Sequence, residues 1–98
     1  RRVLARVNNM ADFDASEEFK LFFGRVHPNF YNTLSERFPD LTPRDIRLCA
    51  FLYLGMTTKE IAVLTYREIR SVDSARNRLR KKLGLELNDD LTAYMRSI

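Results

Sequence analysis

Residues 55–84 read GMTTKEIAVLTYREIRSVDSARNRLRKKLG, and two helix-length patterns inside this stretch determine how the rest of the chain is read. Thr57-Thr58-Lys59-Glu60 places a hydroxyl at a capping position and a carboxylate three residues later, so that each side chain can satisfy a backbone N–H at the other's end. This predicts a short helix over 58 to about 65, with Ile61, Ala62 and Leu64 facing inward and the small Ala62 letting another helix cross closely. Residues 66–69 leave room only for a tight connection before a second helix over about 70–83, which Gly84 closes. Projected at about 100° per residue, Val72, Ala75, Leu79 and Leu83 fall on one narrow apolar arc. The reverse arc carries Arg70, Asp73, Ser74, Asn77, Arg78 and Lys81, with Arg80 and Lys82 on opposite flanks.

Working upstream, Thr42-Pro43-Arg44-Asp45 is a second helix start: a hydroxyl cap, proline in the first turn and an acid placed to reach back. That helix should run to about Leu54, bury Ile46, Cys49, Ala50 and Tyr53, and end at Gly55. Before it, Pro28 opens a helix burying Phe30 or Tyr31 with Leu34, and the chain breaks at Phe38-Pro39-Asp40. Asp14 or Ser16 can cap an earlier helix that carries Phe19, Leu21, Phe22 and Phe23, with Gly24 near its end. Val3, Leu4, Val7 and Met10 form a short helical stripe at the start. The aromatic residues from Phe19 to Phe38 fall on helical spacing with few interleaved cations, which suits packing better than base stacking. Downstream, Asn88 is the expected cap of a last helix whose Leu91, Tyr94, Met95 and Ile98 form one apolar seam, roofing the core or pairing with a second copy. Apolar residues recur at three and four rather than two throughout, so the fold class is all-α.

At 98 residues, 45% of them hydrophobic, the chain suits a globular unit with one core. It opens on Arg1, which suggests a piece of a longer polypeptide. No apolar run approaches the roughly 20 residues that a membrane span needs. The single cysteine, Cys49, sits in an apolar run and reads as a core residue; one thiol gives no internal disulfide and no thiolate metal cage. His27 is the sole histidine, and no glycine-rich phosphate loop, paired carboxylates or metal-ligand spacing accompanies it, so neither an enzyme, a cofactor nor a metal site is expected.

The net charge of +4 is unevenly placed. Residues 1–40 carry six basic and six acidic side chains, whereas 67–82 hold Arg67, Arg70, Arg76, Arg78, Arg80, Lys81 and Lys82 against only Glu68 and Asp73, a local balance of +5. No acid interrupts the run between Ser74 and Leu85. A focused cationic stripe opposite an apolar one, with short hydrogen-bonding side chains between the cations, suits a helix that lies in the major groove of a polyanionic duplex.

These residues resemble the LuxR/GerE-type helix-turn-helix domain. The likeness is carried in register by Leu41-Thr42-Pro43-Arg44-Asp45, by residues 55–62, by Ser71-Val72 and by Leu79-Arg80-Lys81-Lys82-Leu83-Gly84-Leu85, and it covers about residues 41–98. The run from Ala75 to Gly84 is similar to a Bacteroidetes subgroup in which such domains end large sensor or repeat-containing regulators, and residues 18–28 resemble the linker before them. The likeness implies a four-helix DNA-binding domain over 41–98, preceded over 1–40 by a helical linker segment of two or three helices. Its third helix would read double-stranded DNA, usually as a homodimer on two half-sites. It implies phosphate contacts from Thr58 and Lys59, a backbone anchor at Ser71, and base-facing positions at Asp73, Ser74 and Asn77 with Arg78 and Lys81 beside them. Asn77 would read adenine, Asp73 cytosine and Arg70 guanine, while Arg80 and Lys82 would meet phosphates. The implied setting is the cytoplasmic output end of a bacterial transcription regulator, coupled to an upstream sensor region, with a membrane-associated parent left open.

The chain departs from the likeness where Thr65 and Arg67 replace large core aliphatics and Glu68 replaces a serine cap; Tyr66 and Ile69 are expected to supply the missing packing. Two other readings of the same helices stand beside DNA reading: a protein-interaction module docking on RNA polymerase or the upstream sensor, and a promoter-binding domain like a sigma-factor region 4.

Overall fold

The computed structural model describes residues 18–98, and within them the backbone is helical with no strand. The stripe over Val3–Met10 and the caps proposed at Asp14 and Ser16 lie outside the described residues. Helix α1 is described over 18–26, followed by α2 (Pro28–Arg37), α3 (Pro43–Tyr53), α4 (Thr58–Thr65), α5 (Ile69–Leu83) and α6 (Leu91–Arg96).

Local chemistry sets most of these boundaries. Thr42 accepts from Asp45 N while the Asp45 carboxylate accepts from Thr42 N (3.1 and 3.0 Å), and Thr57 and Glu60 repeat the exchange at α4 (3.1 and 2.9 Å). Pro28 and Pro43 occupy first-turn positions where the missing N–H has no helical partner to lose. Gly55 and Gly84 adopt positive φ of 81° and 75°, the left-handed step that turns the chain out of α3 and α5. The last helix is shorter than expected. Asp90, not Asn88, caps it through a bond from Ala93 N at 3.1 Å, and Asp89 closes the preceding turn by accepting from Glu86 N at 2.7 Å.

One core joins all six helices. Leu48–Leu52 of α3 run through its centre, with Ile61 and Ala62 from α4, Val72, Leu79 and Leu83 from α5, and Leu91 and Met95 from α6. Phe23, Phe30 and Leu34 of α1 and α2 belong to the same cluster. They are joined by tilted and edge-on ring contacts that link Phe19 to Phe51 (4.8 Å) and Phe30 to Tyr53 (5.2 Å), so the aromatic segment, apart from the exposed Phe22, is packing material. The lone His27 is half-buried between Phe23 and Tyr53, at 4.8 and 4.6 Å. Burial pushes the Cys49 thiol up to about 12, which makes it an inert core side chain. The seam of α6 roofs the core: Leu91 and Met95 are fully buried, and Arg96 Nε donates to Tyr53 O at 2.8 Å. No helix among the described residues is long and apolar enough to cross a membrane.

Two packing expectations are corrected around α4. Leu64 is exposed and Thr65 takes the inward place, its hydroxyl donating to Ile61 O at 2.7 Å. Eight residues make little more than two turns, so once Ile61 and Ala62 face inward, it is the residue four beyond Ile61 that follows them. Tyr66 and Ile69 do not fill in for missing aliphatics: they are 66% and 50% exposed.

Candidate nucleic-acid interface

Helix α5 stands on the core by a stripe of Val72, Leu79 and Leu83, with Ala75 half-buried at its edge. Burying three aliphatic side chains, worth roughly 1.5–3 kcal/mol each, fixes which way the remaining faces point. Arg70, Ser71, Asp73, Ser74, Asn77, Arg78, Lys81 and Lys82 are all exposed, and Arg80 is half-buried. The fifteen residues give a rod of about 22 Å, longer than the roughly 12 Å width of a B-DNA major groove. Arg80, Lys81 and Lys82 lie in its last turn, where cations also meet the negative end of the helix dipole.

The two flanks differ in how their cations are held. On one, Arg80 donates through Nη1 to Asn77 Oδ1 at 3.0 Å and through Nε to Asp89 O at 3.3 Å, which ties the side chain to the loop before α6. Arg76, which the sequence reading left out of the interface, is half-buried on this side; burial and nearby Arg80 lower its pKa, while Asp73 and Asp90 oppose the shift. Its position between core and exposed arc explains why a wheel projection gives it no clear role. On the other flank, Lys82 Nζ meets Asp45 Oδ2 at 2.6 Å, joining the end of α5 to the start of α3. Partial burial raises the Asp45 pKa, but hydrogen bonds from Lys82 and Thr42 prevail and hold it below its ordinary value. Both flanking cations therefore have partners inside the chain, which spacing along the sequence does not reveal.

Helix α4 approaches α5 through a three-residue connection, Tyr66-Arg67-Glu68, and packs directly against it. Thr58, half-buried, and Lys59, exposed, occupy the first turn of α4. Since Glu60 already accepts the Thr57 N–H, an anion at this end would meet the Thr58 hydroxyl and the Lys59 ammonium. Ser71 lies in the first turn of α5, whose cap, Glu68, makes no side-chain capping bond.

Beside Lys82 lies a groove of about 240 Å³ between α3, α4 and α5. Around the connection, the apolar side chains of Val63, Leu64, Tyr66 and Ile69 are exposed, and Val63 and Ile69 line one shallow depression. No group of three or more His, Cys, Asp or Glu among the described residues could hold a metal ion. Comparison with protein families, curated proteins and solved structures finds no match to this chain.

Proposed function

We propose that the chain binds double-stranded DNA in a sequence-specific manner, with α4 and α5 acting as a helix-turn-helix of the LuxR/GerE type and α5 lying in the major groove. It would thus serve as the output end of a bacterial transcription regulator. One observation carries this reading: the face of α5 opposite its buried stripe is open, cationic and furnished with short hydrogen-bonding side chains. Asn77 is the central reader. Its carbonyl oxygen has two lone pairs, so it can accept from Arg80 and from an adenine N6 amine together, while its own amide N–H is offered to N7. Arg80 then orients Asn77 as well as carrying charge. Arg70 and Asp73 fit guanine and cytosine on the same face, Ser71, Ser74, Arg78 and Lys81 surround them, and Thr58 and Lys59 supply backbone contacts from α4. The buried seam of α6 leaves a homodimer on two half-sites to use other surfaces.

Selection of duplexes from a random pool, followed by affinity measurement across salt, tests the reading. A recovered consensus and a log–log salt slope of about −0.9 per neutralised phosphate are expected, with Asn77→Ala relaxing preference at one position by roughly 1–3 kcal/mol. Random DNA competing as well as any selected sequence would defeat it. The exposed apolar side chains around the connection, Val63 and Ile69 in one depression among them, favour a second reading, in which the connection docks on a protein such as RNA polymerase or the upstream sensor; salt-insensitive binding to protein and none to DNA would select that reading.

A further inference from the structure

The groove between α3, α4 and α5 lies outside the residues read above as base-facing, and its walls carry a charge pattern of their own. Arg44 and Arg47 come from α3, Arg67 from the α4–α5 connection, and Arg78 and Lys82 from α5; Asp45 is the one acid among the lining residues and is already paired with Lys82. The groove opens beside Thr65, a short side chain whose hydroxyl is turned back onto Ile61 O, so the helices meet there without a large side chain filling the space. At about 240 Å³ it falls below the roughly 300–1,000 Å³ usual for small-molecule pockets, which suits a charged group presented from outside rather than an enclosed metabolite. Low-dielectric walls formed by buried Leu48, Phe51, Ile61 and Val72 strengthen the field of the rim cations.

We propose that this groove is a phosphodiester site: one strand of the duplex that receives α5 passes along it, with backbone oxygens held by Arg44 and Arg67 together with Arg78. The proposal rests on the DNA reading of α5 and deepens it, since Arg78 belongs both to the exposed arc of α5 and to the groove rim, making the two surfaces continuous. It adds Arg44 and Arg67 to the interface as sequence-independent anchors and fixes on which side of α5 one phosphate wall lies.

The test compares the salt dependence of duplex affinity for the unmodified chain, Arg44→Gln, Arg67→Gln, the double variant and Arg37→Gln, the last lying outside the groove. Each groove variant should shallow the log–log salt slope by about 0.9 and the double variant by about twice that, with equal loss on selected and random duplexes and no change for Arg37→Gln. Arg44 is exposed, so Arg44→Gln reads the site even if the half-buried Arg67 proves structural. Unaltered slopes in Arg44→Gln and the double variant, with duplex binding intact, would overturn the groove proposal alone. Absence of salt-dependent duplex binding by the unmodified chain would overturn the DNA reading itself, and this inference with it.

Discussion

The connection from α3 to α4 and the one from α4 to α5 are the same device made from different residues. Each helix ends on a left-handed residue, and in each a backbone N–H one position further bonds back across the last turn: Met56 N to Phe51 O at 3.2 Å, and Arg67 N to Ala62 O at 2.9 Å. In the first the left-handed residue is Gly55, and the helix that follows opens with the reciprocal bonds of Thr57 and Glu60. In the second it is Tyr66, at φ 56°, and the helix that follows opens on Glu68 with no side-chain capping bond. The first connection satisfies every local rule, while the second departs from two of them next to the helix proposed to read DNA. Departures of this kind tend to collect where a surface is shaped for contact rather than for stability.

Reversing the residue at each left-handed position is the strongest way to break this comparison. Gly55→Ala forces a Cβ into positive φ and should destabilise the fold by about 1–2 kcal/mol, read as a lower urea midpoint at unchanged slope. The new methyl would lie 3.2 Å from Arg96 Nη2, the far end of a movable side chain, so strain in the backbone dominates over the contact. Tyr66→Gly should act in the opposite sense, raising stability by up to about 1 kcal/mol as the left-handed penalty is removed and the unfolded chain gains freedom in partial offset. Loss of stability in Tyr66→Gly would mean that its ring makes a contact worth more than the strain, despite its exposure.

The contrast also explains what could be read in advance. Caps at Thr42 and Thr57, stops at Gly55 and Gly84, and the inner stripe of Val72, Ala75, Leu79 and Leu83 depend on residues whose successive members lie within four positions, so spacing alone exposes them. Asp90 displaced Asn88 because three consecutive side chains before Leu91 can each serve as a cap, and local pattern cannot rank them. At Thr65 and Arg67 the sequence shows missing aliphatics but not whether Tyr66 and Ile69 close the gap; both stay exposed, and Thr65 and Arg67 line the cationic groove. The open face of α5 was legible as a wheel. The pairing of Lys82 with Asp45, 37 residues apart, and the tie from Arg80 to Asp89 were not, since each depends on where separate helices meet.

The start of α3 is better secured than that of α5, and acid should reveal the difference. With the folded Asp45 pKa held below its unfolded value, the stability it contributes is fully present above about pH 4 and is lost as pH falls through the folded value. Stability measured between about pH 5 and 2 should therefore decline, and Asp45→Asn, which can still cap but cannot pair ionically with Lys82, should show a shallower decline. Identical pH profiles for the two proteins would place the acid sensitivity elsewhere.

The smallest effect is expected from giving α5 the cap it lacks. Serine ranks among the best capping residues, so Glu68→Ser supplies an oxygen for a free amide in the first turn; in exchange it removes a carboxylate that the positive end of the helix dipole favours. The first contribution is about 1 kcal/mol and the second a few tenths for an exposed group, leaving a net gain of about 0.5 kcal/mol and a melting temperature higher by roughly 2–4 °C. On the proposed DNA reading duplex affinity should rise as well, because one negative charge is removed beside Arg67 and Arg70 and the first turn of α5 is steadied where Ser71 is proposed to meet the DNA backbone. A gain in affinity without a gain in stability would assign Glu68 to charge alone; a gain in stability without one in affinity would count against the proposed contact of the first turn of α5 with DNA.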